Sequence, residues 1–206
     1  MEENKERIDV SALFKISYGL FLLSVKDQEK DNACIINTAM QISEQPLLMS
    51  FALNRMNHSH EILKNTKKCN ISVLSEDTPF SLFQHFGYSS GKVQDKFADF
   101  PAVKRSSNDI YYLVQYSNAF FSAEVREVID FPTHSLFVAE VTEATKLSEV
   151  KSATYQYYFD QIKPKTTTTQ KGYICQVCNY IHEGETIPED FICPICKHSR
   201  EYFVQL

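Results

Sequence analysis

Four cysteines near the C-terminus carry the clearest chemistry in the chain. Cys175 and Cys178 form one C-x-x-C pair, Cys193 and Cys196 form a second, and residues 179–192 lie between them. Two such pairs on tight turns place four thiolates at the corners of a tetrahedron around one metal ion. The spacing serves zinc and iron alike, because both accept four sulfur donors in that geometry. Tyr173, Tyr180, Phe191 and Phe203 flank the pairs. Around iron they would limit solvent access and tune a redox potential; around zinc they would only supply a small core. Cys34 and Cys69 stand in apolar runs and read as buried small hydrophobes.

The rest of the chain must supply a scaffold for this unit and a partner for its chemistry. At 206 residues it holds one domain of ordinary size and a small metal-stapled one. Hydrophobic residues make up 43% and aromatic residues 13%, enough for a packed core. The net charge of −5 argues against a nucleic-acid-binding zinc ribbon, which needs a basic face. Six cysteines, four in metal spacing, suit a reducing compartment. The start, Met1-Glu-Glu-Asn-Lys-Glu-Arg, does not read as a signal peptide, and Leu20-Phe-Leu-Leu23 is far too short to span a membrane. The expectation is a cytoplasmic protein with no membrane or nucleic-acid partner.

A short helix is expected over residues 7–15. Strand-like runs, rich in β-branched and aromatic residues, follow at 17–25, 33–42, 47–53, 70–74, 110–116, 120–129 and 136–142. Ser59 could cap a helix through Ile62 and Leu63, and Thr78 one through Phe83 and Phe86. Many strands with few helices predict a mainly β fold closed as a barrel, with Greek-key-like connections. Neither G-x-G-x-x-G nor G-x-x-x-x-G-K occurs, so neither nucleotide fold is supported. The tract Lys163-Pro-Lys-Thr-Thr-Thr-Thr-Gln-Lys171 cannot build a core and reads as a linker. The expected domains are therefore 1–162 and 172–206, joined by 163–171.

Y-x-C-x-x-C-x-Y-x-H-E-G followed by F-x-C-P-x-C resembles rubredoxin, in the short form fused to other redox domains. The resemblance implies one iron held by Cys175, Cys178, Cys193 and Cys196. Asn179 and Lys197 stand where that family usually carries glycine, and Phe191 where it commonly carries tryptophan. A second resemblance is spread along residues 8–162. Leu13-Phe-Lys-Ile-Ser-Tyr-Gly-Leu, Cys34-Ile-Ile-Asn-Thr, His58-Ser-His-Glu-Ile-Leu and the run from Phe86 to Phe97 look like the flavin reductase-like family. Thr133-His-Ser-Leu-Phe-Val-Ala-Glu-Val141 and Tyr155-Gln-Tyr-Tyr add to it. That likeness implies an FMN-binding split β-barrel, usually homodimeric, with flavin at or near the interface.

An FMN phosphate needs backbone donors, hydroxyls and a cation where no P-loop exists. Ser89, Ser90, Gly91 and Lys92 offer these, Lys96 follows closely, and Ser59 at a helix N-terminus is a second candidate. The same loop read on composition alone is equally a polar surface turn. Asn37 and Thr38 interrupt an apolar strand and could bond the flavin ring or ribityl chain. Asn54 is a further cofactor candidate that could equally cap a turn, as could Asn57, and His134 reads as structural more readily than functional. No side chain need act as acid or base. The whole arrangement resembles the high-molecular-weight rubredoxins, which implies electron flow from NAD(P)H through FMN to the iron and on to a flavodiiron-type acceptor. The C-terminal unit sets three cationic against five carboxylate side chains, a balance that could steer a basic partner. The alternative is a flavin reductase, or a plain flavin-binding module, carrying a structural zinc ribbon.

Overall fold

The computed structural model describes residues 10–28, 30–164, 172–176, 180–193 and 198–206. Its main sheet has seven strands, β1 (Phe21–Lys26), β2 (Asp31–Ile36), β3 (Met40–Glu44), β4 (Leu47–Asn54), β5 (Lys68–Leu74), β8 (Ser117–Asp130) and β9 (His134–Lys146). They lie in the order β2-β1-β5-β8-β9-β4-β3, every neighbour antiparallel. The two edge strands, β2 and β3, are consecutive in the chain. A flat sheet would hold its outermost strands about 29 Å apart, at about 4.8 Å per step. The connection from Ile36 to Met40 reaches only about 14 Å fully extended. The sheet must therefore curl until its edges meet, which makes it a barrel.

Alternation then decides what fills it. Phe51 and Leu53 on β4, Phe137 and Ala139 on β9, and Leu23 and Val25 on β1 all point inward and are buried. Phe51 and Phe137 stack with ring centroids 5.6 Å apart. Each of the larger of these side chains contributes roughly 1.5–3 kcal/mol through burial. Bulges where β8 meets β5 and β9 bend the long strands around the barrel.

Two helices sit against the sheet. Helix α1 (His58–Thr66) begins where the Asn57 carboxamide accepts from the Ser59 amide, and it ends at Lys67 in the left-handed region. The cap is thus Asn57 rather than Ser59. Helix α2 (Phe80–Gly87) buries Leu82, Phe83 and Phe86 in a second apolar cluster with Leu20, Leu74 and Leu113. Thr78 does not cap it, since its hydroxyl donates to the Ser75 and Tyr116 carbonyls. A small hairpin of β6 (Val103–Arg105) and β7 (Tyr111–Leu113) packs nearby, and residues Tyr155–Tyr157 form a helical turn that continues as a π turn, Tyr158–Ile162.

Sequence and structure differ most in two strands, while the run expected over 17–25 is a strand only from Phe21 and the helix expected over 7–15 is a 3-10 helix over Val10–Lys15. The run expected over 33–42 breaks into β2 and β3, because Thr38 turns its hydroxyl onto the Ala52 amide and carbonyl and takes the place of a ladder residue. The run expected over 110–116 shortens to β7, and Tyr116 adopts a φ of 63° that no strand accommodates.

The C-terminal unit is a separate three-stranded sheet, β11-β10-β12, from β10 (Gly172–Cys175), β11 (Ile181–Glu183) and β12 (Phe203–Gln205). Among the described residues no helix is long and apolar enough to cross a membrane.

Candidate functional site: a barrel pocket beside a cysteine cluster

The C-terminal unit is built around its cysteines. Cys175 ends β10 and Cys193 follows Ile192; both are fully buried, in one cluster with Ile187 and Phe203. One hydrogen-bond pattern recurs at both described cysteines. The Cys175 amide donates to the Tyr180 carbonyl and the Cys193 amide to the His198 carbonyl, each at 2.8 Å and each closing the same five-residue step. The same bond at the first cysteine of each pair suits a site with two matched halves. Cys178 and Cys196 lie outside the described residues.

Tyr173, Tyr180 and Phe191 pack on this cluster, as the sequence led us to expect, and the Phe191 and Phe203 rings meet edge to face at 5.3 Å. Two buried thiols in a dry aromatic shell fit a soft metal held by thiolates.

The barrel carries the second feature, a pocket of about 540 Å³ within the range of cofactor sites. Its polar wall includes Asn37, Asn54, Ser89, Ser90, Gly91 and Lys96, while Leu20, Leu53 and Phe83 line it with apolar surface. These polar residues come from three separate places in the chain: the end of β2, the end of β4 and the loop after α2. The curl of the sheet brings them together.

Three other expected residues take different places. Thr38 is spent on β4, as above. The Ser59 side chain is wholly buried behind the pocket and its hydroxyl accepts from Asn32 at 2.9 Å. Lys92 is exposed on the loop, outside the wall, yet near enough for its charge to help hold the His58 imidazole below its usual range, after burial itself. Lys96 is only 4% exposed, and its ammonium donates to the Ala33 and Phe86 carbonyls at 2.8 and 2.9 Å. Burial lowers its pKa, and the nearby Cys34 opposes that shift. Cys34 also lines the pocket, and burial pushes its thiol up. Cys69, deeper in the core, is pushed up to about 12 by burial, consistent with an inert thiol.

Sequence reasoning missed several wall residues. Asn57 and His58 bring the N-terminus of α1 to the pocket, where the positive end of the helix dipole favours an anion. The His58 Nδ1 is buried with no partner among the described residues, which suits a site built for a ligand. Tyr88, Tyr155 and Tyr158 line another side. His198 also lines the pocket, although it belongs to the cysteine unit. Nothing in its spacing after Cys196 reveals that reach. His134 lies nearby, and its imidazole is held below the usual range by burial and then by His198.

Both units resemble known proteins. Residues 13–166 match the flavin reductase like domain, and residues 173–204 match the rubredoxin-like domain of rubrerythrin. The chain is 30% identical to the high molecular weight rubredoxin of Moorella thermoacetica, over 97% of this chain and all of that protein. It is 31% identical to the NAD(P)H ferric-chelate reductase of Archaeoglobus fulgidus, over 81% of this chain and 98% of that one. Among solved structures, the NADH:FAD oxidoreductase of Streptomyces globisporus superposes with a TM-score of 0.65 at 18% identity, covering 73% of this chain and 88% of that one. That last likeness speaks for the barrel fold alone. With its barrel matched along nearly its whole length and its cysteine unit matched separately, the chain belongs to the flavin reductase like domain family and carries a C-terminal rubredoxin-like domain.

Proposed function

We propose that this protein is an electron-transfer oxidoreductase that holds FMN in the barrel pocket and one iron at the four cysteines. It would take reducing equivalents from NAD(P)H and deliver them to a redox protein of the flavodiiron type. The observation that carries this reading is the placement of His198, which closes the Cys193 loop and also lines the pocket. A cofactor pocket and a thiolate cluster sharing a wall residue are arranged for exchange between them. A purely structural zinc unit needs no such placement.

The residues divide the work. Ser89, Ser90 and the Gly91 backbone would hold the phosphate, with Lys92 supplying charge from outside and the α1 N-terminus the positive end of its dipole. Asn37 and Asn54 would orient the ribityl chain and ring edge, against Leu20, Leu53 and Phe83. When bound, flavin accepts a hydride and iron accepts single electrons, so the pair converts a two-electron donor into one-electron deliveries. The protein excludes water and fixes orientation. Burial, and then the Lys92 charge, lower the His58 pKa, which favours the neutral ring as a partner for the ligand.

Met40, Ile42 and Leu47 lie exposed around the β3 edge, apolar surface that supports a homodimer. The barrel and the cysteine unit are proposed as the two domains, 1–162 and 172–206, with the intervening residues as their connection.

The visible spectrum of freshly purified protein, with metal analysis, tests the assignment. Bound FMN together with one ferric-thiolate centre per chain is the expected result. Flavin with a colourless zinc centre would replace the electron-transfer reading by that of a flavin reductase with a zinc ribbon.

A further inference from the structure

The cysteine unit touches the barrel through more than His198. Tyr88, just beyond α2, lines the pocket and bonds Tyr158, hydroxyl to hydroxyl, at 2.5 Å. The same tyrosine packs against the cluster of Cys175, Ile187, Cys193 and Phe203. Phe80 and Phe83 brace this pair of tyrosines from the barrel side, with the Phe83 and Tyr158 centroids 4.6 Å apart. One side chain thus belongs to the wall of the pocket and to the shell of the thiolates.

Lys163 makes the second contact. Its backbone amide donates to the Tyr158 carbonyl at 2.7 Å, which fixes it at the end of the π turn. Its ammonium donates to the carbonyl of Gln176, the residue after Cys175, and lies 4.8 Å from the Phe159 ring centroid. Only 9% of Lys163 is exposed. The sequence assigns it to a solvated linker, but a lysine serving only as tether would keep its charge in water, since burying an ammonium is costly unless it is paired.

We propose that Tyr88 and Lys163 form a clasp that holds the cysteine domain against the pocket of its own chain. Lys163 is the positioning residue, and its charge also acts on the metal. The inference rests on the functional reading above. A ferric ion with four thiolates carries one net negative charge, and one added electron makes it two, with no bond made or broken. A buried cation beside the Cys175 loop favours the more negative, reduced form. It thereby makes the metal a better acceptor from the flavin side.

The test uses full-length, iron-loaded protein. Lys163→Met should shift the one-electron equilibrium about tenfold toward the oxidised form, lowering the midpoint by about 59 mV. Lys163→Arg should keep the parent's potential, which separates loss of charge from loss of fold. In the Tyr88→Ala/Lys163→Met double variant the domain should leave its seat, and X-ray scattering should record a larger radius of gyration. A double variant whose scattering superposes on the parent's overturns the clasp. An unchanged potential in Lys163→Met overturns the charge effect. Scattering from zinc-loaded protein decides the clasp even if the native metal is zinc, so its failure and that of the functional reading are distinguishable.

Discussion

Replacing Gly91 by alanine tests how the pocket loop is seated. A methyl group there would lie 2.0 Å from the Asn32 Oδ1 and 2.6 Å from its Cγ, far inside contact distance. Asn32 cannot simply swing aside, because it is 2% exposed and its amide donates to the wholly buried Ser59. The Lys30 ammonium also bonds the Gly91 carbonyl at 3.1 Å and ties the loop to the turn just before β2. Overpacking of this kind costs about 2 kcal/mol, and loss of the Asn32–Ser59 bond about 1 kcal/mol more. If the loop yields in place of Asn32, the Asn32–Ser59 bond is kept, and about 1.4 kcal/mol of the overpacking cost appearing in the bound loop would weaken flavin binding tenfold. Calorimetry measures both shares, as a lower Tm and a weaker Kd for FMN. Adding Asn32→Ala removes the obstructing atoms, so the double variant should recover roughly 1–3 kcal/mol relative to the sum of the single changes. A Gly91→Ala protein with parental Tm and Kd would refute the reasoning, as would a double variant that recovers nothing.

Other expectations follow from single contacts. Asn57→Ala removes the cap of α1 and should cost about 1 kcal/mol in urea unfolding, with weaker flavin binding because that helix end lines the pocket. His60 bonds Ser135 at 2.7 Å, and Ser135 donates to Asp130 at 2.6 Å. Burial holds its pKa below 6.5, so the unfolded chain takes the proton first; stability is full above pH 6.5 and falls as pH drops through the folded pKa. His60→Gln should flatten part of that limb in urea midpoints, leaving the share of His58 and His134, which are depressed likewise. The Asp130 carboxyl, held at about 2 by Lys64 and then Ser135, gives way only at still lower pH, below about 3.8. Cys193→Ser should abolish the thiolate-metal absorption while calorimetry still finds FMN binding.

The strands and the cysteine pairs were legible because each depends on local pattern. Alternation in Leu47–Asn54 and His134–Lys146 reads directly as inward and outward faces, and C-x-x-C needs only its spacing. The pocket was half legible. Ser89, Ser90 and Gly91 stand in one run, whereas His58 and Tyr158 reach the same cavity only through the closure of the sheet. Ser59 and Thr38 misled because short polar side chains satisfy backbone or core partners as readily as a ligand, and nothing local distinguishes the two uses. Lys163 was read from its neighbours, a run of threonines and lysines, but its burial is set by Tyr158 and Gln176, one five residues before it and one thirteen after it.

The proposed function requires electrons to pass from the pocket to the cysteines. Anaerobic stopped-flow mixing of the iron-loaded protein with NADH or NADPH follows it directly, at a flavin wavelength and at a ferric-thiolate wavelength. The flavin absorption should bleach first and the ferric-thiolate absorption second, the second step at a rate independent of protein concentration. A ferric-thiolate signal that persists after the flavin is fully reduced, or that bleaches only in proportion to protein concentration, would contradict it.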